Sequence, residues 1–348
     1  MKMLIRADSN NYIGTGHIMR CMAIAKTAEK LGHNIKFVVA DTDSELILCK
    51  YGMAYTCMNT VWNKLDEELD AFTKIIYDES PDCIIIDSYY VTSYYLKKLK
   101  EQCKVAYIDD LNTFKYPCDL LICYANYYKK FNYEKIYKNN ETYLLLGPRY
   151  APLREEFSGI KVEKKKIEKK SILIMSGGTD EHHIVKRILE EMDKTRSLKK
   201  HKVIAICGIY NKDYDELMKK YIDNENITLL KAVDNMEQYM TEADIAVSAG
   251  GTTLYELCAC GTPTICYSFV DNQLDNVKSF SEDGIMTYIG DIRTANVVEN
   301  IVDEIEMLVC DETARNTISQ RMRKLVDGKG TERIIREICN YLEGEERK

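Results

Sequence analysis

A chain of 348 residues, 30% charged and 45% hydrophobic, has the make-up of a globular protein large enough for two ordinary domains. Its net charge of −7 excludes a general nucleic-acid binder and a polybasic membrane anchor. No stretch is long and apolar enough to span a bilayer, and Met1-Lys2-Met3-Leu4-Ile5 reads as a strand rather than a signal-peptide core. A cytoplasmic protein with no membrane and no nucleic-acid partner is the expectation, and a monomer is favoured.

Short β-branched runs then alternate with amphipathic stretches. The strands expected in the first half are Met3 to Ala7, Ile35 to Ala40, Cys83 to Asp87, Val105 to Asp109, Leu120 to Cys123 and Tyr143 to Leu146. Between the first two, apolar residues recur at helical spacing from Met19 to Leu31, and Gly32 stops the run. Near-continuous apolar strands such as Ile84-Ile85-Ile86 indicate a parallel sheet covered on both faces. Positions 158–170 break the rhythm with Lys161, Lys164, Lys165, Lys166, Lys169 and Lys170, and are read as a solvated linker. Alternation restarts with Ile172 to Met175, Val203 to Cys207, Ile227 to Leu230, Ile245 to Val247, Thr264 to Tyr267 and Met286 to Ile289, and Glu332 to Leu342 forms an amphipathic helix. The fold class is therefore α/β: two doubly wound domains, 1–157 and 171–330, with a cleft between them and a C-terminal helix over 331–348.

The thirteen cysteines are odd in number, scattered, and lack a Cys-x-x-Cys pair, so reduced thiols are expected. His182-His183 is the one histidine cluster; adjacent helical residues diverge, and the pair is read as solvent-exposed. No metal and no cofactor is assigned.

In open α/β sheets ligands sit at the carboxyl ends of strands, so strand-end motifs carry most weight. After the first strand, Gly14-Thr15-Gly16-His17-Ile18-Met19-Arg20 places a histidine between a glycine turn and a helix, where an imidazole can take a proton beside a bound ligand. The plain alternative is a helix-capping histidine. Ser176-Gly177-Gly178-Thr179-Asp180 and Ser248-Ala249-Gly250-Gly251-Thr252-Thr253-Leu254-Tyr255-Glu256 each join a strand to a helix with exposed amides suited to phosphate. Glu256 lies where a carboxylate can accept from two ribose hydroxyls, or simply cap its helix. Asn272 and Gln273, in Asp271-Asn272-Gln273, suit sugar hydroxyls and acetamido groups, or an Asx turn. Asp87-Ser88-Tyr89 and Asp109-Asp110 add carboxylates at two more strand ends. A full G-x-G-x-x-G, a P-loop and a G-x-S-x-G elbow are absent, which disfavours a dinucleotide redox site.

Taken in order, Ile5-Arg6-Ala7-Asp8, Ile13 to Arg20, Ile86 to Tyr89, Ile108-Asp109-Asp110, Leu146 to Arg154, Ser176 to Asp180, Gly250 to Glu256 and Asn272-Gln273 resemble the PseG family of UDP-sugar hydrolases over roughly residues 1–290. The second-half motifs are shared more widely with MurG-type glycosyltransferases. The resemblance implies a GT-B fold and metal-independent, inverting hydrolysis of UDP-2,4-diacetamido-2,4,6-trideoxy-β-L-altropyranose in pseudaminic acid biosynthesis. By position it implies His17 as general base, Tyr89 and Asn272 near the sugar, Glu256 on the ribose, and the nucleotide against the second domain. Substrate contacts are expected at Gly14, Gly16, Arg20, Asp87, Gly177, Gly178, Gly251, Thr252, Thr253 and Gln273, with Arg20 either aiding the diphosphate or forming a structural ion pair. A glycosyltransferase using a UDP-sugar donor, a UDP-sugar hydrolase of another nonulosonic acid pathway and a non-catalytic sugar-nucleotide binder stand as rivals.

Overall fold

The computed structural model describes residues 1–160 and 169–344. Positions 161–168 of the expected linker and 345–348 of the expected C-terminal helix lie outside the described residues. The chain divides into two compact units, Met1–Glu155 with Gly328–Lys348, and Glu156–Asp327.

In the first unit the strands are β1 (Lys2–Ala7), β2 (Asn34–Val39), β3 (Tyr55–Cys57), β4 (Cys83–Asp87), β5 (Lys104–Ile108), β6 (Leu120–Cys123) and β7 (Tyr143–Leu146). They form one parallel sheet in the order β3-β2-β1-β4-β5-β6-β7. β4 is buried along its whole length, which explains its unbroken apolar run. β3 was not expected. It is a half-buried edge strand of three residues, too short to show a period of two.

The second unit contains β8 (Ser171–Met175), β9 (Lys202–Cys207), β10 (Ile227–Lys231), β11 (Ile245–Ala249), β12 (Thr264–Ser268) and β13 (Thr287–Asp291). These pair in parallel as β10-β9-β8-β11-β12-β13. The helices Ile184–Lys194 and Val297–Cys310 cover one face of this sheet with Ile188, Leu189, Ile301 and Ile305, all fully buried. Both sheets are doubly wound α/β, and each has a switch point where strand order reverses: between β1 and β4, and between β8 and β11.

The segment after Gly290 divides. Helices Val297–Cys310 and Glu312–Leu325 belong to the second unit, whereas Gly330–Glu343 belongs to the first. That last helix docks through Thr331, whose hydroxyl lies 2.9 Å from that of Thr27, and Glu337, which accepts from Tyr143 at 2.6 Å. Gly330 permits the approach, because a Cβ there would stand 2.0 Å from the Ala151 carbonyl oxygen. All thirteen cysteines are free thiols. Among the described residues no helix is long and apolar enough to cross a membrane.

Candidate functional site

In the first unit, the residues of interest gather at the β1/β4 switch point. The turn after β1 is closed by Asn10, whose side-chain oxygen accepts from the amides of Tyr12 and Ile13 at 2.8 and 3.0 Å, and whose carbonyl accepts from Gly14 at 2.9 Å. Gly14 takes φ +68, a conformation that glycine adopts without penalty. The helix starts at Gly16 rather than Met19, so His17 stands in its first turn and Arg20 follows one turn later on the same face.

Both side chains reach Asp87 at the end of β4. His17 Nδ1 lies 2.6 Å from Asp87 Oδ1, while Arg20 Nε donates to Oδ2 and Nη2 to Oδ1, each at 2.5 Å. Nδ1 is also 3.1 Å from Arg20 Nη2. A carboxylate at the shorter distance requires the proton on Nδ1, so the imidazole donates to Asp87, and Nη2 is satisfied by the same carboxylate. Nε2 meets no partner among the described residues. Asp87 thereby fixes the tautomer that turns the Nε2 lone pair outward. Burial alone would raise the Asp87 pKa, but Arg20 and then His17 overcome it and hold the carboxyl well below its ordinary range.

Arg20 completes its set with Asp110 at 3.0 Å and the Tyr124 hydroxyl at 2.8 Å. Asp87 is expected as a substrate contact, but its side chain is 0% exposed and spent on His17 and Arg20. Of the two roles open to Arg20, every guanidinium nitrogen is bonded within the protein, which is the structural ion pair. Their geometry suits positioning of His17. Tyr89 sets its ring edge-on to His17, centroids 4.5 Å apart, and donates to Asp110 at 3.2 Å. Burial and the neighbouring Asp110 raise its phenol pKa. Asp8, Ile13, His17, Asp87, Ser88, Tyr89 and Tyr90 enclose a hollow of ≈ 10 Å³, about the room one water needs. Asp109 has another task, accepting from Tyr116 and Tyr133 and from the amides of Leu111 and Asn112, so it braces its own loop.

Sequence reasoning missed the support beneath this cluster. Arg6, fully buried, forks onto Glu68 at 2.7 and 2.8 Å and also meets Asp8 at 2.5 Å, and Tyr95 donates to Glu68 at 2.6 Å. No local pattern marks Glu68, which is distant in the chain from its partner.

In the second unit, a cavity of ≈ 540 Å³ opens at the β8/β11 switch point, a size suited to a nucleotide. Gly177, Gly178, Gly251, Thr252, Thr253 and Gln273 line it, as do Ile206, Gly208, Ile209, Met236, Tyr267 and Phe269. Glu256 and Asn272 do not line it: Glu256 lies further along the helix Thr253–Cys260, and Asn272 is exposed on a short 3-10 turn. Gly14 and Gly16 shape the His17 turn without lining either hollow.

The two phosphate-type loops differ. After Gly178 the helix begins only at Ile184, and its first amides are taken by Asp180, which accepts from Ile184 at 2.8 Å and Val185 at 3.2 Å. The expectation of an open helix N-terminus there is corrected; the loop amides alone remain. After Gly251 the helix starts at Thr253 with no side-chain cap; the amides of Leu254 and Tyr255 are taken by the Gly251 and Thr252 carbonyls at 3.2 and 3.0 Å, while Thr252 and Thr253 line the cavity. Gly208, a strand-end glycine that sequence reading passed over, is required sterically: a Cβ would stand 2.1 Å from the Gly178 carbonyl oxygen. His183 is exposed and bonds Asp213 at 2.6 Å, whereas His182, against expectation, is half-buried and lines the cavity.

Residues 171–329 match the family model of the glycosyltransferase family 28 C-terminal domain. The chain is 26% identical over 272 residues to uncharacterized protein MJ1062 of Methanocaldococcus jannaschii, a match covering 76% of this chain and 55% of that one. It is 24% identical to the spore coat polysaccharide biosynthesis protein SpsG of Bacillus subtilis, covering 61% and 60%. This chain thus spans less than two thirds of the length of either. It is 28% identical to the UDP-2,4-diacetamido-2,4,6-trideoxy-β-L-altropyranose hydrolase of Campylobacter jejuni, covering 78% of this chain and 93% of that one. Among solved structures, Acinetobacter baumannii MurG superposes with a TM-score of 0.70 at 12% identity, covering 98% and 100% of the two chains. The UDP-GlcNAc 2-epimerase of Neisseria meningitidis gives 0.68 at 13%, covering 98% and 100%. The fold is GT-B, of the MurG-like kind.

Proposed function

We propose that this protein hydrolyses UDP-2,4-diacetamido-2,4,6-trideoxy-β-L-altropyranose to UDP and the free sugar, inverting the anomeric carbon without a metal, as a step towards pseudaminic acid. The observation that carries the reading is the His17–Asp87 pair, 2.6 Å apart, with Nε2 free to accept a proton beside a water-sized hollow. The likeness to the Campylobacter jejuni hydrolase supports the choice of substrate.

The first unit supplies the base and the second holds the nucleotide. His17 Nε2 takes a proton from water as the water attacks the anomeric carbon, and the C–O bond to UDP breaks on the opposite side. Asp87 keeps Nδ1 protonated and stabilises the imidazolium that forms. UDP is a good leaving group, so no second carboxylic acid is needed; amides of the Gly177-Gly178 loop and of Thr252-Thr253 take up the developing charge. Gln273 and Gly251 border the nucleotide and Tyr89 faces the sugar, while Glu256 and Asn272, outside the cavity lining, keep their ribose and sugar roles only as part of this reading. The protein acts in the cytoplasm as a monomer. Incubation with this UDP-sugar alone should release UDP at the full rate, and added saccharides should not raise it.

One observation favours a second reading. The glycosyltransferase family 28 match covers nearly the whole second unit, which fits a transferase that uses the same donor. A transferase would release negligible UDP until an acceptor sugar is supplied.

A further inference from the structure

The sheet of the second unit ends in a rung of side chains that the mechanism leaves unused. Pairing sets Ile174, Val247 and Ile265 level across β8, β11 and β12. Two residues further along each strand direction come Ser176, Ala249 and Tyr267, and Ala249 is paired with Tyr267. Residues two apart share a face, so these three stand side by side at the carboxyl edge, and all three line the ≈ 540 Å³ cavity. Ala249, with only a methyl group, leaves the gap between the two hydroxyl-bearing neighbours open.

Tyr267 is 0% and Ser176 5% exposed, and neither hydroxyl has a partner among the described residues. Buried hydroxyls without partners are rare, because each gives up its bond to water for nothing. The cavity is also short of cations. Among the described residues no Lys or Arg lines it, while Asp180 and Glu181 do. Asp180 is already used by the amides of Ile184 and Val185 and by Asn211 at 3.1 Å. Apart from the imidazole of His182, an anion held here relies on neutral donors, and an O–H directed at a charged phosphoryl oxygen makes a stronger bond than one to a neutral acceptor.

We propose that the Tyr267 phenol and the Ser176 hydroxyl form an anion floor, each donating a hydrogen bond to a diphosphate oxygen of a bound nucleoside diphosphate. The inference rests on the reading that the second unit holds the nucleotide. It also reassigns the buried phenol: Tyr267 sits in the core for its ligand, and the ligand-free protein would be at least as stable without its hydroxyl.

Titration calorimetry with UDP, ligand-observed NMR with uridine, and melting temperatures without ligand test this on the full chain. Tyr267→Phe and Ser176→Ala should each weaken UDP binding about tenfold, the loss of one charge-assisted bond, with uridine binding unchanged. The melting temperature of Tyr267→Phe should equal or exceed that of the wild type. A UDP loss below fivefold in both variants overturns the proposal, as does an equal loss for uridine, or a Tyr267→Phe that melts several degrees lower. Wild-type protein that fails to bind UDP overturns the nucleotide reading itself, and this inference with it. Normal wild-type binding with unaffected variants removes the anion floor alone.

Discussion

Asp87→Asn removes one charge at a place where every facing group is a donor. His17 Nδ1 and Arg20 Nε and Nη2 all lie within 2.6 Å of the Asp87 oxygens, and an amide offers a single accepting oxygen where the carboxylate offers two. Arg20 keeps Asp110 at 3.0 Å and Tyr124 at 2.8 Å, so its charge is not wholly abandoned. Breaking a buried pair by removing one partner costs about 3–5 kcal/mol, and the remaining Asp110 places this case near ~3. At about 2–4 °C per kcal/mol for a unit of this size, the melting temperature should fall by roughly 6–12 °C. The effect on rate is separate. Without a carboxylate to hold Nδ1–H, His17 loses its tautomer and its support, and kcat should fall by about 10²–10⁴, the range of general-base catalysis. UDP affinity should stay within about twofold, because the groups proposed to hold the nucleotide belong to the other unit. UDP release, calorimetry with UDP and thermal melts on one preparation measure all three quantities. A variant that melts lower yet turns over within fivefold of wild type would make Asp87 a structural residue and refute the dyad.

Other consequences follow from the same geometry. His17→Phe should abolish UDP release from the UDP-sugar while leaving UDP affinity unchanged, and Asp87→Asn added to it should lower the residual rate no further, as for residues that act as one unit. Gly208→Ala puts a methyl group 2.1 Å from the Gly178 carbonyl oxygen, so the phosphate loop must shift and UDP binding should weaken by about tenfold or more by calorimetry. The Asp87 pKa is depressed by Arg20 and His17 against the opposing effect of burial. Its contribution to stability is then complete above the unfolded carboxylate value near ~3.9, and is lost as pH falls through the lower folded value. Denaturant midpoints should show a gap between wild type and Asp87→Asn that is constant from about pH 5 to about pH 8 and narrows below about pH 4. A gap that varies strongly between neutral pH and about pH 5 would mean another group carries it.

How much of this was visible in the chain depends on whether the cause is local. Ile84-Ile85-Ile86 announces a central strand because burial on both faces leaves no polar position, and the glycines after Met175 and Ala249 mark strand ends because the chain must turn there. Tyr55–Cys57 has three half-buried residues and no readable period. Asp87 is legible as a strand-end carboxylate, but its partners are not. Its meeting with His17 exists because β1 and β4 are hydrogen-bonded neighbours, a fact of tertiary pairing across 70 residues. For the same reason both roles stayed open for Arg20: a guanidinium one helical turn past a glycine loop carries no sign of whether it faces a ligand or a buried acid. Asp180 shows the opposite failure, since a carboxylate that follows a glycine pair can cap the very amides proposed for the ligand. Gly208 becomes necessary only when Gly178 is packed above it.

In the proposed reaction water, activated by His17, attacks the anomeric carbon. Turnover of UDP-2,4-diacetamido-2,4,6-trideoxy-β-L-altropyranose in ¹⁸O-water, followed by NMR and mass spectrometry at early times, tests it most directly. Label should appear at the sugar C1 hydroxyl, with unlabelled UDP and a first-formed anomer of inverted configuration, and with no acceptor added. Label in the UDP phosphate, retained configuration, or no turnover until a saccharide acceptor is present would contradict it.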